Sequence, residues 1–587
     1  SRYQLPPVLA IRLRQQYGDG AIRVVEKNPY LLSDDVCGVD FSVTDTMALS
    51  MGFAEDCTER LEAALTFELT YNENNGHVFL PKDKLLAATC QLLGCGIEQV
   101  EAALDALAEH HAVVIQRIAN VEAVYLRRLW EAETSACARL LALLEMDADE
   151  SRFADRTVAE IEKEQGITYA PLQRQAVELA AKVGVILLTG GPGTGKTTTV
   201  RGIVALFQKM GLNIVLAAPT GRAAKRMSEL TGMEAQTVHR LLGMTWNEAA
   251  HQVTFQKTEK EPLEAETVIV DEMSMVDVSL FSALLRALRP GTRLVLVGDP
   301  DQLPSVGPGN LFGDLIRSGT VPTVRLTQIF RQAAQSAIVR NAHLVNAGEL
   351  PDLRKNDNDF FFLSRRDPQS AAETIVDLCR RRLPERMGIP ADQIQVLSPT
   401  RRRGTGTSAL NQALQAALNP PSEEKGERRF GDTLFREGDR VMQVKNNYDI
   451  LWREDGGAAS GMGVFNGDIG RIQSIDPRGE CITVDFEGRI VEYSPDMLGE
   501  LEPAYAVTVH KAQGSEYRAV VLVSAPAAPN LLVRGVLYTA ITRARELLVM
   551  VGDDAIPGRM AENDRRTRRY SGLRRRLKQG GPSHGHE

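Results

Sequence analysis

Residues 187–197, LLTGGPGTGKT, constrain the fold more than any other part of the chain. They fit the pattern G-x-x-x-x-G-K-T and follow an apolar, strand-like run at residues 185–189, and a helix is expected from about Lys196. Glycines let backbone N–H groups approach phosphates, and the N-terminus of the following helix adds a positive potential. The stretch therefore predicts a strand–loop–helix unit that binds a nucleoside triphosphate.

Further residues complete the expected nucleotide site. Lys196 is expected to reach the β- and γ-phosphates, and Thr197 to ligate Mg²⁺. Residues 267–272, TVIVDE, are typical of a buried strand that delivers two carboxylates: Asp271 can hold Mg²⁺, and Glu272 can polarise the attacking water. The sequence therefore predicts ATP hydrolysis with Mg²⁺, at a loop whose binding residues are Gly191, Gly193, Thr194, Gly195, Lys196, Thr197 and Thr198.

Gln173, in the stretch LQRQAV upstream of the loop, is a candidate for base recognition. Its amide could bind adenine through the N6 and N7 atoms of the base. The alternative for Gln173 is a solvated glutamine on the surface of a helix, and for the residue in isolation this alternative is favoured.

Length and composition limit the class of protein. At 587 residues the chain is expected to hold about four domains of ~150 residues each. No run approaches the ~18 apolar residues of a membrane helix, no signal peptide is evident, and seven scattered cysteines favour reduced thiols. A cytoplasmic protein without a membrane segment is expected. The net charge of −8 excludes a uniformly basic nucleic-acid binder but is compatible with a positive groove.

Short β-branched runs that alternate with helical stretches predict two parallel sheets. The first series reads VGVILLTG, NIVLAAPT, ETVIVDE and TRLVLVGD, and the second reads IQVLSPT, RAVVLVSA and LLVMVG. Residues 429–500 contain short strands joined by Gly, Asp and Pro turns, which predicts a small inserted β-barrel. Residues 1–60 are expected to be helical. Residues 61–150 are typical of a winged helix, with helices from Lys82 and Ile97 and two β-rich stretches after them.

A series of polar motifs follows the predicted strands. In chain order they are APTGRAAKRMSE, TVHRLL, DEMSMVD, GDPDQLPSVGPG, QIFRQ, VTVHKAQGSE and YTAITRAR. This series resembles the motifs of superfamily 1 helicases, and in particular the RecD-type, superfamily 1B branch, over roughly residues 165–580. The resemblance implies a multidomain α/β fold with two RecA-like P-loop lobes. The implied divisions are lobe 1A at 151–345 with a β-hairpin 1B at about 243–262, lobe 2A at 346–428 and 501–579, an SH3-like 2B insertion at 429–500, and a disordered tail at 580–587.

The resemblance also assigns roles around the nucleotide. Arg331 and Arg543 match arginines that neutralise charge developing on the γ-phosphate, and an arginine supplied across a cleft couples hydrolysis to closure. Gln302 matches the residue that senses the γ-phosphate, and Glu516 matches a residue near the ribose. Either arginine alone would more often be a surface or helix-capping residue, so the assignment depends on the ordered series of motifs.

A path for a single nucleic-acid strand is implied by the same motifs. Hydroxyls and imidazoles suit phosphate contacts that form and release without reading sequence, while aromatic side chains would stack on bases. His239 and His510, which match this path, could instead be core residues with one backbone hydrogen bond. The residues that match the path are Thr220, Arg222, Thr237, His239, Thr508 and His510.

Residues 244–256, MTWNEAAHQVTFQ, read strand–turn–strand between two motifs of the first lobe. In the family that the motifs resemble, a β-hairpin in this place is the pin that splits the duplex. The resemblance therefore assigns strand separation to Trp246 and Phe255. An ordinary exposed hairpin is the alternative.

The N-terminal stretch KNPYLLSDDVCGVDFSVTDTMALSMGF resembles the helix-hairpin-helix segment of stand-alone RecD-type helicases. Asp40 stands where that pattern usually has its second glycine, which puts a negative charge where a phosphate would approach and favours a packing role. The chain opens inside a helical pattern without a methionine, so a piece of a longer protein is expected. No nuclease carboxylate cluster is evident, and nuclease activity is not predicted.

The C-terminal region carries the densest basic run, with Arg565, Arg566, Arg568 and Arg569 followed by residues 574–578, RRRLK. A solvated terminal helix and a phosphate-contacting segment are both compatible with this pattern.

The implied function is a monomeric ATP-dependent motor that steps 5′→3′ along single-stranded DNA and unwinds duplex at junctions. A bacterial nucleoid-associated role in DNA repair or recombination follows from the resemblance alone. Two alternatives stay open at this point. One is a motor of the same kind that acts on RNA, and the other is an ATP-gated nucleic-acid clamp that binds without productive unwinding.

Overall fold

The N-terminal region combines helices with a three-stranded antiparallel sheet in the order β1-β3-β2. The computed structural model describes residues 9, 13–14, 17–33, 37–146, 151–247, 252–355, 358–454, 457, 460–478, 481–565 and 568–580. Two helices begin at Lys82 and Ile97, as predicted. The elements are α1 (Ala21–Lys27), α2 (Phe41–Ser50), α3 (Thr58–Glu73), β1 (Leu80–Pro81), α4 (Lys82–Leu93), α5 (Ile97–Glu109), β2 (Val113–Ile118), β3 (Val121–Leu126) and α6 (Arg127–Leu144).

Asp40 has a local structural role. It is the N-cap of α2, where its carboxylate accepts hydrogen bonds from the Ser42 amide at 2.8 Å and from the Ser42 hydroxyl at 2.5 Å. These bonds lower the pKa of Asp40 and satisfy an N–H group that the first helical turn leaves without a partner. The departure from the glycine of the helix-hairpin-helix pattern therefore stabilises the start of a helix.

The first lobe contains a six-stranded parallel sheet in the order β11-β4-β10-β9-β5-β6. Successive residues of its central strands enter two separate hydrophobic clusters, so the sheet is buried on both faces as the continuous apolar runs predict. The elements in this part of the chain are α7 (Ser151–Gln165), α8 (Pro171–Lys182), β4 (Val185–Gly190), α9 (Lys196–Lys209), β5 (Ile214–Ala218), α10 (Gly221–Thr231), β6 (Ala235–Thr237), α11 (Val238–Leu241), β7 (Met244–Asn247), β8 (Gln252–Phe255), β9 (Thr267–Val270), α12 (Val278–Ala287), β10 (Arg293–Gly298), α13 (Leu311–Ser318), β11 (Thr323–Leu326) and α14 (Arg331–Gln335).

The second lobe contains a five-stranded parallel sheet. Its strand order is β12 (Phe360–Ser364), β25 (Ala544–Gly552), β24 (Tyr517–Ser524), β13 (Ile394–Ser398) and β23 (Ala506–Thr508). Helix α15 packs into its core through Ala337, Ile338 and Ala342, whereas the sequence prediction ended the first lobe at residue 345. The elements before the inserted domain are α15 (Ala337–Ala347), β12 (Phe360–Ser364), α16 (Pro368–Asp377), a π-helical turn (Leu378–Arg382), α17 (Leu383–Met387), β13 (Ile394–Ser398) and α18 (Thr407–Leu418).

An antiparallel β domain interrupts the second lobe between β13 and β23. We call it the inserted domain (residues 427–503). It has a hairpin and a seven-stranded sheet in the order β18-β17-β21-β20-β19-β16-β22, around its own hydrophobic cluster. Its strands are β14 (Glu427–Phe430), β15 (Thr433–Arg436), β16 (Arg440–Gln443), β17 (Asn447–Glu454), β18 (Ser460–Val464), β19 (Ile469–Ile475), β20 (Ile482–Phe486), β21 (Arg489–Tyr493) and β22 (Leu501–Pro503).

After the inserted domain the chain completes the second lobe and then leaves it. No helix among the described residues has the length and apolar character needed to span a membrane. The remaining elements are β23 (Ala506–Thr508), β24 (Tyr517–Ser524), α19 (Arg534–Ile541), β25 (Ala544–Gly552), α20 (Ala555–Glu562) and α21 (Leu573–Gly580).

Residues 568–580, the C-terminal clasp, return to the first lobe and the N-terminal region. Leu573 and Leu577 of α21 are 1% and 0% exposed and belong to the main core of the first lobe. The Tyr570 carbonyl accepts a hydrogen bond from the amide of Val78 at 2.8 Å. Arg569 donates to the carbonyl of Gly309 at 2.7 Å, and burial lowers its pKa to about 10.

Glu133 of α6 is the buried anchor of the clasp. Its side chain is 0% exposed and accepts hydrogen bonds from the Tyr125 hydroxyl at 2.9 Å, the Gly572 amide at 2.9 Å and Arg576 Nε at 2.9 Å. The Ser571 hydroxyl donates a fourth bond at 3.1 Å. The sequence left two interpretations of the basic run, a solvated terminal helix and a phosphate-contacting segment. Neither describes Arg569 and Arg576, because both guanidinium groups are engaged inside the protein.

We expect Glu133→Ala to release the clasp. The substitution leaves the buried Arg576 guanidinium without its carboxylate, and breaking a buried pair in this way costs about 3–5 kcal/mol. Hydrogen–deuterium exchange of residues 568–580 should accelerate, and the unfolding midpoint should fall. Arg575→Ala, on the exposed side of the same helix, is the matched control and should change neither. Unchanged exchange in Glu133→Ala would contradict the anchoring role.

Candidate nucleotide site and strand groove

Strand register brings the predicted nucleotide residues to one edge of the first sheet. Strands β4 and β10 pair in parallel with Thr189 opposite Gly298, and β10 pairs with β9 with Leu296 opposite Val270. The loops that follow these three strands therefore leave the sheet at the same edge. This arrangement gathers the glycine-rich loop, the Asp271–Glu272 pair and the loop at residues 299–304.

The glycine-rich loop has the backbone conformation that its glycines permit. Gly193 and Gly195 have φ angles of 74° and 81°, in the left-handed region where a side chain is strained. Thr194 is 2% exposed, and its hydroxyl donates to the carbonyl of Gly191 at 2.8 Å. Lys196 Nζ donates to the carbonyl of Gly190 at 2.6 Å, which holds the ammonium group against the loop.

Gln173 contacts the loop rather than an open pocket. Its side chain is 3% exposed. The amide oxygen accepts from the Ala170 amide at 3.0 Å, and the amide nitrogen donates to the Gly195 carbonyl at 3.2 Å. Both ends of the amide are thus used within the protein. The adenine contact of Gln173 stays a prediction, and bracing the loop is a role that its sequence context did not reveal.

The two carboxylates after β9 differ in environment. The Asp271 carboxylate accepts from the amide of Glu272 at 2.7 Å, and burial together with the charge of Glu272 raises the pKa of Asp271 above its ordinary value. Glu272 has a φ angle of 55°, a left-handed conformation that is uncommon for a residue with a side chain. Such local strain is concentrated at functional sites.

The residues predicted for ATP largely share one cleft between the two lobes, which we call the ATP cleft. Its volume is about 700 Å³. Thr194 and Gln173 are buried beside the cleft without lining it, and the side chain of Arg331 lies outside the described part of the chain. The predicted residues that line the cleft are Gly191, Gly193, Gly195, Lys196, Thr197, Thr198, Asp271, Glu272, Gln302, Glu516 and Arg543.

Arg543 lies on the wall that the second lobe contributes. It is 2% exposed. Its guanidinium donates to the carbonyl of Ser515 at 3.1 Å and to the carbonyl of Thr539 at 3.2 Å. Carbonyls of its own lobe therefore hold this arginine in the cleft wall, and its contact with a γ-phosphate stays a prediction.

Three contributors to the cleft were missed by the sequence analysis. Arg226 of α10 forms an ion pair with Glu516 that joins the two lobes at the cleft. Phe330 lines the cleft and lies close to Gly195. Asp299 accepts a hydrogen bond from the Tyr538 hydroxyl of the second lobe at 2.7 Å. Asp299 and Tyr538 stand inside motifs that were recognised, but their pairing across the lobes has no signal in the sequence.

A second cavity, which we call the strand groove, lies between the first lobe and the inserted domain. It has a volume of about 1000 Å³. Three of the six residues predicted to contact the strand line it: Arg222, Thr237 and His239. His510 lines a separate cavity together with His77 and Arg569.

The hydroxyls of the three threonines predicted to contact the strand all accept backbone hydrogen bonds, two as helix N-caps and the third, Thr508, in a turn. The hydroxyl oxygens of Thr220 and Thr237 accept hydrogen bonds from amides of α10 and α11 at 3.3 and 3.1 Å, and that of Thr508 accepts from the Lys511 amide at 3.4 Å. A hydroxyl that accepts in this way still has its proton to donate. Accepting these bonds therefore leaves each threonine able to contact a phosphate oxygen.

His239 is held neutral. Burial lowers its pKa to about 4, so the imidazole carries no charge at neutral pH. Any contact that it makes to a phosphate is a hydrogen bond without an ion pair. The positive charge of this wall comes from Arg222, Lys225 and Arg240 instead.

The predicted hairpin is present as β7 and β8, paired antiparallel with Met244 opposite Phe255 and Asn247 opposite Gln252. Phe255 packs against the core of the first lobe and so anchors the base of the hairpin. The side chain of Trp246 and the residues between the strands lie outside the described part of the chain. Strand separation by this hairpin stays a prediction.

Replacing Gln173 by glutamate tests whether its amide holds the glycine-rich loop in place. In Gln173→Glu a carboxylate replaces the N–H donor opposite the Gly195 carbonyl, and a buried group left unsatisfied costs roughly 1–3 kcal/mol. We expect the affinity for a fluorescent ATP analogue to fall by roughly 5- to 150-fold. Gln175→Glu, exposed on the same helix, should bind the analogue like the unchanged protein. If Gln173→Glu and Gln175→Glu bound the ATP analogue with equal affinity, the proposed role of Gln173 in holding the loop would be ruled out.

Family models match four parts of the chain. They describe an AAA domain at residues 173–308 and a UvrD-like helicase C-terminal domain at residues 503–551. Two more specific models match as well. These are an ATP-dependent RecD2 DNA helicase HHH domain at residues 1–79 and an ATP-dependent RecD-like DNA helicase SH3 domain at residues 410–486.

Curated relatives extend these matches over most of the chain. The RecBCD enzyme subunit RecD of Mycobacterium tuberculosis is 32% identical over 78% of this chain and 80% of its own. A crystal structure of Pif1 helicase from Bacteroides superposes with a TM-score of 0.40 at 18% identity, over 67% of this chain and 94% of that chain.

The ATP-dependent RecD2 DNA helicase of Deinococcus radiodurans is 34% identical over 556 residues, which covers 92% of this chain and 72% of that protein. Most of the SH3 match falls on the inserted domain, and the HHH match covers the start of the N-terminal region, so these two matches extend the likeness beyond the two lobes. The chain belongs to the family of ATP-dependent RecD2 DNA helicases.

Proposed function

We propose that this helicase moves 5′→3′ along single-stranded DNA and that closure of its two lobes couples ATP hydrolysis to movement. The supporting observation is the composition of the ATP cleft. The first lobe contributes Lys196, Asp271 and Glu272, and the second contributes Glu516 and Arg543. Because neither lobe has the whole set, hydrolysis requires both lobes to be in place.

Mg²⁺ is part of the proposal, and its ligands would be Thr197 and Asp271. Both line the ATP cleft and offer oxygen atoms, the ligands that Mg²⁺ prefers. Among the described residues no group of three or more His, Cys, Asp or Glu could hold a metal alone, which suits an ion that is also held by phosphates and water. When bound, Mg²⁺ would neutralise charge on the phosphates.

Glu272 would orient and polarise the attacking water, and Lys196 would neutralise negative charge on the phosphates. Arg543 and Arg331 would supply positive charge when the cleft closes. An arginine finger of this kind contributes about 10³–10⁵-fold in rate in other nucleotide hydrolases. Glu516 would exchange its contact with Arg226 for a contact with the ribose.

The direction of movement is proposed from the resemblance of the motif series to the superfamily 1B branch. A single chain contains both lobes, so a monomer is the simplest working unit. The names of the two relatives, a DNA helicase and a RecBCD enzyme subunit, support action on DNA. Binding to single-stranded DNA and its junctions with duplex is proposed from the resemblance of the motif series. Action at the nucleoid in repair or recombination is part of the same proposal.

The first test uses two duplexes of equal sequence, one with a 5′ single-stranded tail and the other with a 3′ tail. We expect ATP-driven unwinding of the 5′-tailed duplex alone, measured by release of a fluorescent strand. Preference for the 3′ tail would contradict the proposed direction. ATP turnover and binding without strand separation would favour an ATP-gated clamp.

Glu272→Gln is the control for that experiment. It removes the group that polarises water, and loss of a general base typically costs about 10²–10⁴-fold in rate. The variant should bind the 5′-tailed duplex and ATP but release no strand. Strand-stimulated ATP hydrolysis at the original rate would contradict the role of Glu272.

Replacing residues 246–253 by a two-residue turn tests the hairpin and keeps Phe255, which packs against the core of the first lobe. The change shortens both strands of the hairpin but leaves the ATP cleft intact, so DNA-stimulated ATP hydrolysis should persist while unwinding is lost. Thr245 and Thr254, which pair across the hairpin, offer a control, because Thr254→Val changes one exposed hydroxyl and keeps the strands. Equal unwinding by the shortened protein would rule out the pin.

A further inference from the structure

The two walls of the strand groove differ in charge. On the first-lobe wall the charged side chains are Arg222, Lys225 and Arg240, and no carboxylate is present among the described lining residues. All of the groove's carboxylates among those residues come from the inserted domain. They are Asp449, Asp468 and Glu487, and one arginine of the inserted domain, Arg489, also lines the groove.

The wall from the inserted domain is also the aromatic one. Trp452 and Phe465 line the groove from this side, together with Met462, which is 59% exposed. No Phe, Tyr or Trp stands among the described lining residues of the first-lobe wall. One wall can therefore bind phosphates, and the opposite wall offers flat apolar rings.

Glycines hold the two rings in place. Trp452 pairs with Gly461 across β17 and β18, and a Cβ added to Gly461 would lie 2.4 Å from Cζ2 of the indole. A Cβ added to Gly463 would lie 2.9 Å from Cζ of Phe465. Because these glycines have no side chains, each ring can lie against the backbone of β18 and still line the groove.

Asp468 fixes the segment that carries Phe465. It is 7% exposed, and its carboxylate accepts from the Phe465 amide at 3.1 Å and from Arg489 at 3.2 Å. A second link crosses between the walls, since Lys225 forms an ion pair with Glu487. Asp468 thus fixes a loop of the inserted domain, and Glu487 links this domain to the first lobe. Two of the three carboxylates that line the groove are therefore already paired.

We propose that Trp452 and Phe465 stack on the bases of the bound strand, while its phosphates face Arg222, Lys225 and Arg240. This inference rests on the proposed function and adds the orientation of the strand and two base-contacting residues. A basic groove combined with aromatic platforms is the arrangement that binds single strands without sequence preference, since every base has a flat face. Stacking of this kind depends on the bases and not on the phosphates.

The test compares two single strands of equal length and charge, oligo-dT and the same strand with abasic sites throughout its central part. Binding is measured by fluorescence anisotropy with the full chain. We expect the unchanged protein to bind oligo-dT roughly 10-fold or more tightly than the abasic strand, given the usual contribution of one stacked base. Trp452→Ala and Phe465→Ala should each weaken oligo-dT binding by roughly 10-fold and leave abasic binding almost unchanged.

Three further variants separate stacking from other effects. Arg222→Ala should weaken the binding of both strands equally, because it acts on phosphates. Phe430→Ala removes an aromatic side chain of the inserted domain that is 43% exposed and outside the groove, and it should affect neither strand. Trp452→Phe keeps a ring and Trp452→Leu does not, so the first should retain base-dependent binding and the second should lose it.

The outcomes are distinct. Base-dependent loss in Trp452→Ala that Trp452→Phe restores would support the proposal. Equal losses for both strands, or no loss in either aromatic variant, would overturn it. Equal binding of oligo-dT and the abasic strand by the unchanged protein would also overturn it, while the proposed function would stand. If the unchanged protein bound neither strand, the proposed function would fail together with the inference.

Discussion

Contact between the loop at residues 299–304 and the second lobe is the constraint on which the ATP cleft depends. The loop follows β10 of the first sheet, yet its partners lie across the cleft. Gln513 donates to the Leu303 carbonyl at 2.8 Å, and the Thr539 hydroxyl accepts from the Leu303 amide at 2.9 Å. Tyr538 adds its bond to Asp299 at 2.7 Å. Buried groups of this kind are costly to leave unpaired, so the loop and the second lobe stay in register.

Contacts at the edges of the cleft and groove are weaker. The pairs Arg226–Glu516 and Lys225–Glu487 join exposed or half-exposed side chains, and such pairs contribute ~0–1 kcal/mol and weaken with salt. The strong contacts therefore lie at the loop that follows β10, and the weak ones lie at the edges of the cleft and the groove. This distribution fits the proposed closure, with the two lobes moving about the loop contact.

Local sequence pattern predicted the two sheets, the inserted domain and the glycine-rich loop, because each depends on residues close together in the chain. The buried strands Val185–Gly190 and Thr267–Val270 read correctly as continuous apolar runs. The C-terminal clasp was not predicted, since the partners Glu133 and Arg576 are 443 residues apart and a basic run looks exposed in the sequence. The bracing role of Gln173 was missed because only folding brings the Gly195 carbonyl next to its amide nitrogen.

Helix α10 (Gly221–Thr231) links the two functional cavities. Arg222, at its first turn, lines the strand groove, and Arg226, one turn later, lines the ATP cleft. Residues four apart on a helix lie on neighbouring turns of one face, so the two guanidinium groups share a rigid base. If the ATP cleft closes as proposed, the movement of Arg226 relative to the second lobe also shifts the first-lobe wall of the groove relative to the inserted domain. If the bases are held by Trp452 and Phe465 of the inserted domain, that shift moves the phosphates relative to the bases, which is the displacement that a stepping motor requires.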